Sequence, residues 1–161
     1  MAFAVTADGK KVYVNDSVYN IVSVIDTATN TVIATIPVGI FPYGVTVTPD
    51  GKKVYVTNRK GKIVGFVNRN TVSVIDTSIN TVTITVPVGN NQFEVAVTPD
   101  GSKVYMTNAD DNTVSVIGIK TTIKGLKYFC QTFLFSCRAK FQFCRRVILI
   151  SCTAKYILPC S

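Results

Sequence analysis

Three observations predict an all-β fold built from repeated four-stranded antiparallel sheets. A segment recurs three times, at Ala4–Asp16, Val45–Asn58 and Val95–Asn108, each time with a tight turn followed by Val-Tyr. The stretches between turns are short and rich in Val, Ile, Thr and Tyr, residues that fit a pleated, half-buried surface. The first two turns are 42 residues apart, Gly9 to Gly51, a spacing in the range of stacked repeats.

The first copy shows each element in order. Phe3–Thr6 is a short apolar strand, and Ala7-Asp8-Gly9 turns the chain. In the later copies the turn reads Thr48-Pro49-Asp50-Gly51 and Thr98-Pro99-Asp100-Gly101. Proline presets the second turn position, Asp suits the third, and Gly accepts a left-handed fourth. The second strand is Lys11–Asn15, and the polar connection Asp16–Asn20 leads to a third at Ile21–Asp26. Thr27-Ala28-Thr29-Asn30 is the next turn, where Asn tolerates positive φ. The fourth strand, Thr31–Ile36, ends at Pro37, and its counterpart Thr81–Val86 ends at Pro87. Proline has no backbone donor, so both are expected at a sheet edge.

Strands of this kind carrying apolar side chains on both faces need a layer above and below. Val54 and Val56 with Tyr55, and Val74 with Ile75, show that pattern. The fold class is therefore an all-β, incomplete β-propeller of about 2.75 four-stranded antiparallel blades, with a divergent C-terminal tail. The expected blades span residues 3–39, 40–89 and 90–118 of a 1–118 domain, and the tail is 119–161.

Tyr55-Val56-Thr57-Asn58, Thr71-Val72-Ser73-Val74-Ile75-Asp76-Thr77 and Val86-Pro87-Val88-Gly89 resemble the YVTN-type β-propeller repeat. The resemblance covers residues 3–117. Such repeats occur in archaeal surface-layer and other cell-surface proteins, so it implies an extracellular or cell-surface location. The pattern carries no catalytic residue to transfer.

The chain departs from a regular array in three places. Gly51 to Gly101 is 50 residues, and the extra length falls within Arg59–Asn70, where Val64–Arg69 partly echoes Val54–Arg59. The connection Gly39-Ile40-Phe41-Pro42-Tyr43-Gly44 becomes Gly89-Asn90-Asn91-Gln92-Phe93-Glu94. The third copy stops matching at Gly118, where the earlier copies have Asp26 and Asp76. The abrupt change after Ile117 suggests an out-of-frame or degenerate tail on a fragment of a longer propeller protein. Closed propellers need four to eight blades. A free blade face of about 300–400 Å² forgoes roughly 8–10 kcal/mol at ~25 cal/mol/Å². Self-association to complete the ring is the alternative way to cover such faces.

Charge follows the same division. Residues 1–118 hold nine Lys/Arg and nine Asp/Glu, whereas 119–161 hold eight Lys/Arg, no acid and all five cysteines. The net charge of +8 thus belongs to the tail. Zinc sites favour Cys pairs two to four residues apart, and Cys130, Cys137, Cys144, Cys152 and Cys160 form none, so no metal and no cofactor is expected. The tail's Phe129, Phe133, Phe135, Phe141 and Phe143 could lie on an anionic membrane surface, but a poorly packed tail is the expectation. No motif supports nucleic-acid binding. No signal peptide is visible, and no apolar run is long enough to span a bilayer.

The candidate sites follow from the meander. The Pro-Asp-Gly and Asp-Thr turns share one rim, and their aspartates, Asp8, Asp26, Asp50, Asp76 and Asp100, are explained as turn formers rather than as acids, bases or calcium ligands. The variable loops share the other rim, where binding over a fixed scaffold usually resides. Tyr43, Arg59, Lys60, Lys62, Arg69 and Phe93 are the candidate binding residues there, and their charge suits an acidic partner. With no histidine and one glutamate, Glu94, the chain is expected not to be an enzyme. The expected function is a non-enzymatic cell-surface structural or protein-interaction module. The alternative is a propeller enzyme, lactonase-like or dehydrogenase-related, or a ligand-binding propeller, needing further blades.

Overall fold

The computed structural model describes residues 1–59 and 70–119, together with the backbone of residues 131–136 and 147–151. The first sheet consists of β1 (Phe3–Val5), β2 (Lys11–Asp16), β3 (Ile21–Asp26) and β4 (Thr31–Pro37), in that spatial order and antiparallel throughout. The second repeats it with β5 (Pro42–Val47), β6 (Lys53–Asn58), β7 (Thr71–Asp76) and β8 (Thr81–Pro87). The third holds the repeat strands β9 (Gln92–Val97), β10 (Lys103–Asn108) and β11 (Thr113–Gly118). Its ladder continues antiparallel through β12 (Gln131–Ser136), which takes the place that β4 and β8 hold in the other sheets, and β13 (Val147–Ser151). The tail thus supplies outer strands to the third sheet. The fold is all-β, an incomplete propeller.

The turns form for the reasons their residues give. Gly9, Gly51 and Gly101 adopt φ of 71°, 69° and 69°, and each donates its N–H to the threonine carbonyl three residues earlier at 2.8 Å. That threonine also closes the hairpin, because Thr48 Oγ1 donates to Asp50 Oδ1 at 2.6 Å and accepts the Lys53 N–H at 3.0 Å. Thr6 and Thr98 do the same in their sheets. At the second turn of the rim, Asp26 Oδ1 accepts the N–H groups of Ala28 and Thr29, and Asn30 and Asn80 sit at φ of 53° and 50°. Thr27 Oγ1 then donates to Gly9 O and Thr77 Oγ1 to Gly51 O, each at 2.7 Å, tying the two turns of a sheet together.

β4 and β8 lie at the outer edges of their sheets, where Pro37 and Pro87 lose no ladder bond. The extra residues between β6 and β7 do not disturb the ladder: Asn58 pairs with Thr71 as Asn108 pairs with Thr113.

Packing between sheets makes two cores. Tyr13, Val22, Val24 and Ile36 meet Val45, Val54, Val56 and Ile75 between the first and second sheets. Tyr55, Val72, Val74 and Val86 meet Val104, Met106 and Ile117 between the second and third. The first strands of the sheets lie side by side, β5 against both β1 and β9. They form the inner edge of the array, where a propeller has its centre.

Candidate functional site

The rim opposite the Pro-Asp-Gly turns is built where β5 and β9 begin and β6 ends. Pro42 opens β5 opposite Asn58, the last residue of β6. Arg59 follows, and its N–H extends the ladder by donating to Phe41 O at 2.9 Å. Phe41 accepts this role at φ 56°, a left-handed conformation that is uncommon for a bulky side chain. Its own N–H donates to Asn20 Oδ1 at 2.8 Å, which holds the strained residue in place.

Tyr43 on β5 and Phe93 on β9 occupy equivalent positions in consecutive copies, and the side-by-side strands bring their rings together. The centroids are 5.4 Å apart and the planes meet at 81°, an edge-to-face pair. Arg59 lies against both: its Cζ is 4.2 Å from the Phe93 centroid and 5.1 Å from that of Tyr43. Gly44 permits the approach, since a Cβ there would lie 3.0 Å from Phe93 O and 3.0 Å from Val95 Cγ1. Its N–H donates to Thr57 Oγ1 at 2.8 Å, which holds the start of β5 against β6.

An ion pair among the described residues, Lys52 with Asp50 at 3.9 Å, lies on the other rim. No carboxylate within ion-pair distance of Arg59 is found among the described residues. A guanidinium in cation–π contact with aromatic rings can still turn N–H donors toward a phosphate or carboxylate. Glu94, the residue after Phe93, is exposed, and its N–H donates to Thr107 Oγ1 at 3.2 Å.

Of the six residues expected to form this rim site, Tyr43, Arg59 and Phe93 come together. Lys60, Lys62 and Arg69 lie outside the described residues. A neighbouring polar group was not foreseen. Asp111 accepts the Asn90 N–H at 2.6 Å and the Asn90 side-chain amide at 2.9 Å, while Asp110 accepts from Asn91 Nδ2 at 2.7 Å. The signal for it was the replacement of Ile40-Phe41-Pro42 by Asn90-Asn91-Gln92. Gln92 is fully buried and donates to Gly89 O. Among the described residues, no group of three or more His, Cys, Asp or Glu is placed to hold a metal ion.

No family model matches the chain, and no curated protein matches it. Solved structures share its fold. A candidate 6-phosphogluconolactonase from Bacteroides fragilis superposes with a TM-score of 0.62 and 19% identity, over 74% of this chain and 34% of that one. One from Bacteroides uniformis gives 0.61 and 18%, over 77% and 37%. A protein of unknown function from Desulfotomaculum acetoxidans gives 0.64 and 14%, over 92% and 54%. The chain spans about a third of the length of the two Bacteroides proteins. At these identities the likeness concerns the fold.

The expectation that the chain is not an enzyme is corrected here, because the fold it takes is shared with two candidate lactone hydrolases. The expectation rested on counting residue types. A missing histidine closes one route to general-base catalysis and leaves carboxylates, and a ring gathers its central groups from several blades.

Proposed function

We propose that the chain forms part of a lactonase-like propeller hydrolase with its site at the inner rim, where β5 and β9 begin. The observation that carries this reading is Arg59, in cation–π contact with Phe93 and Tyr43 and without a carboxylate partner among the described residues, on a fold shared with candidate 6-phosphogluconolactonases. A phosphorylated sugar lactone presents a phosphate and an apolar ring face. The Arg59 fork takes the phosphate, and contact with the aromatic pair holds the fork in place.

Hydrolysis adds water to the lactone carbonyl, breaks the ring C–O bond and gives a sugar acid with a free hydroxyl. A carboxylate takes the proton from the attacking water and returns it to the leaving oxygen. Glu94, exposed beside Phe93, is the carboxylate of this chain assigned to that task. Further groups that polarise the carbonyl come from other blades of the ring. The YVTN-type assignment and a cell-surface location belong to the same proposal and rest on the repeat segments; fractionation of expressing cells tests the location.

The test is hydrolysis of 6-phosphogluconolactone by purified protein, followed by proton release. Because the polarising groups come from other blades, the chain is expected to bind 6-phosphogluconate and to hydrolyse the lactone only slowly, and Arg59→Ala weakens that binding at least about tenfold. A rate equal to buffer at all protein concentrations, with no binding of 6-phosphogluconate, ends the reading.

A further inference from the structure

We propose that two copies of this chain associate head to tail, the free face of the third sheet of one packing on the free face of the first sheet of the other. Six sheets then share one array, within the four to eight that close a propeller. The inference is independent of the catalytic reading, since it rests on burial alone.

The molecule makes this joint twice within itself. Tyr13 with Val22 and Val24 presses on the second sheet, and Tyr55 with Val72 and Val74 presses on the third. The third sheet carries Tyr105, Val114 and Val116 at the same positions. Tyr105 pairs with Val116 and Thr107 with Val114, as Tyr55 pairs with Val74 and Thr57 with Val72. Tyr13 and Tyr55 are 0% and 3% exposed, whereas Tyr105 is 39% exposed. Val116 is already buried at 5% and Val114 half-buried, so Tyr105 is the part of the joint's knob left exposed, and among the described residues no fourth sheet covers it.

The socket lies at the other end of the chain. Phe3 pairs with Val14 and Val5 with Val12, as Val45 pairs with Val56 and Val47 with Val54. Val45, Val54 and Val56 are buried beneath the first sheet. Phe3 is 70% exposed and Val5 48%, and Val12 and Val14 are half-buried. The two free faces are therefore unlike each other and complementary by the molecule's own precedent. Pairing either face with itself would set tyrosine against tyrosine or leave two sockets empty. Head-to-tail contact alone repeats the internal joint, and in a two-membered ring it occurs twice.

Sedimentation of the full chain tests this, with Tyr105→Arg and Val14→Arg as variants and Tyr105→Ser as a milder one, each checked for retained fold by circular dichroism. The wild type is expected at the mass of two copies, and each charged variant at the mass of one, its association weakened at least about tenfold. An equimolar mixture of Tyr105→Arg and Val14→Arg is expected to recover a one-to-one pair, weaker than wild type, because one intact joint remains between them. A wild type that stays single at ~100 μM, variants that stay paired, or a mixture that forms no pair overturns the proposal.

Discussion

Asn58 Nδ2 donates to Ser73 Oγ at 2.9 Å, and one sheet later Asn108 Nδ2 donates to Ser115 Oγ at 2.8 Å. Each serine oxygen also faces the N–H of a glycine leaving the preceding sheet, Gly39 and Gly89, at 3.4 Å. The pair therefore fastens the exit of one sheet to the middle of the next. The glycines are needed for space. A Cβ on Gly39 would lie 2.5 Å from Asn58 Cγ, and one on Gly89 would lie 2.5 Å from Asn108 Cγ.

Gly39→Ala is accordingly expected to destabilise the fold by about 2–3 kcal/mol, the cost of forcing apart a packed joint. Gly118→Ala is its control, because nothing lies within 4 Å of the added carbon, and a change within about 0.5 kcal/mol is expected. Urea unfolding of the two variants measures the difference. Equal midpoints would mean that the close approach at Asn58 does not exist in solution.

Tyr13 gives a prediction of opposite sign. It is fully buried between the first two sheets, and its hydroxyl has no hydrogen-bond partner among the described residues. Tyr13→Phe removes a buried polar atom without opening a cavity, so it should stabilise by about 1 kcal/mol. Burial also pushes the Tyr13 pKa up from its ordinary 10.0. Below pH 10 both folded and unfolded chains carry the neutral phenol. Above it the unfolded chain ionises first, so stability falls as pH rises from 10 toward the folded value. Alkaline unfolding followed at 295 nm should therefore start at higher pH in Tyr13→Phe than in wild type, and an unchanged onset would count against the buried, unpaired phenol.

The repeat made the fold legible because each turn is written locally. Pro49-Asp50-Gly51 needs no distant partner to dictate its shape, and Pro37 and Pro87 announce sheet edges by lacking a donor. The Asn58–Ser73–Gly39 joint was not legible, since it depends on β-strand register across 15 residues and on a chain segment from another sheet. The first copy shows how small the written signal is. Asp16 stands where Asn58 stands, and its carboxylate caps the N–H groups of Val18 and Tyr19. Tyr43, Phe93 and Arg59 could each be placed on a rim by turn order, but their contact follows from β5 lying beside β9. The expected absence of enzymatic activity failed differently, because a count of histidines says nothing about which carboxylates a ring gathers.

Acid stability depends on the turn aspartates. The Thr98 hydroxyl, then the Ser102 N–H and hydroxyl, hold the Asp100 carboxyl down to about 2. The Thr6 hydroxyl lowers that of Asp8 and the Thr48 hydroxyl that of Asp50. Asp26 is lowered by the Thr29 N–H and hydroxyl, and Asp76 by the Ser78 hydroxyl and N–H. A carboxylate whose folded pKa is depressed stabilises the fold above its unfolded value, 3.8 here, and loses that contribution as pH falls toward the folded one. The urea midpoint should thus be level above pH 5 and drop between about pH 4 and 2. Asp100→Asn keeps an oxygen to accept the Thr98 hydroxyl and the Ser102 N–H, loses the one that accepts the Ser102 hydroxyl, and cannot titrate. It should lie slightly below wild type at neutral pH and lose less between pH 4 and 2, so that the two curves converge. Parallel curves would show that the Asp100 turn does not take part in the acid transition.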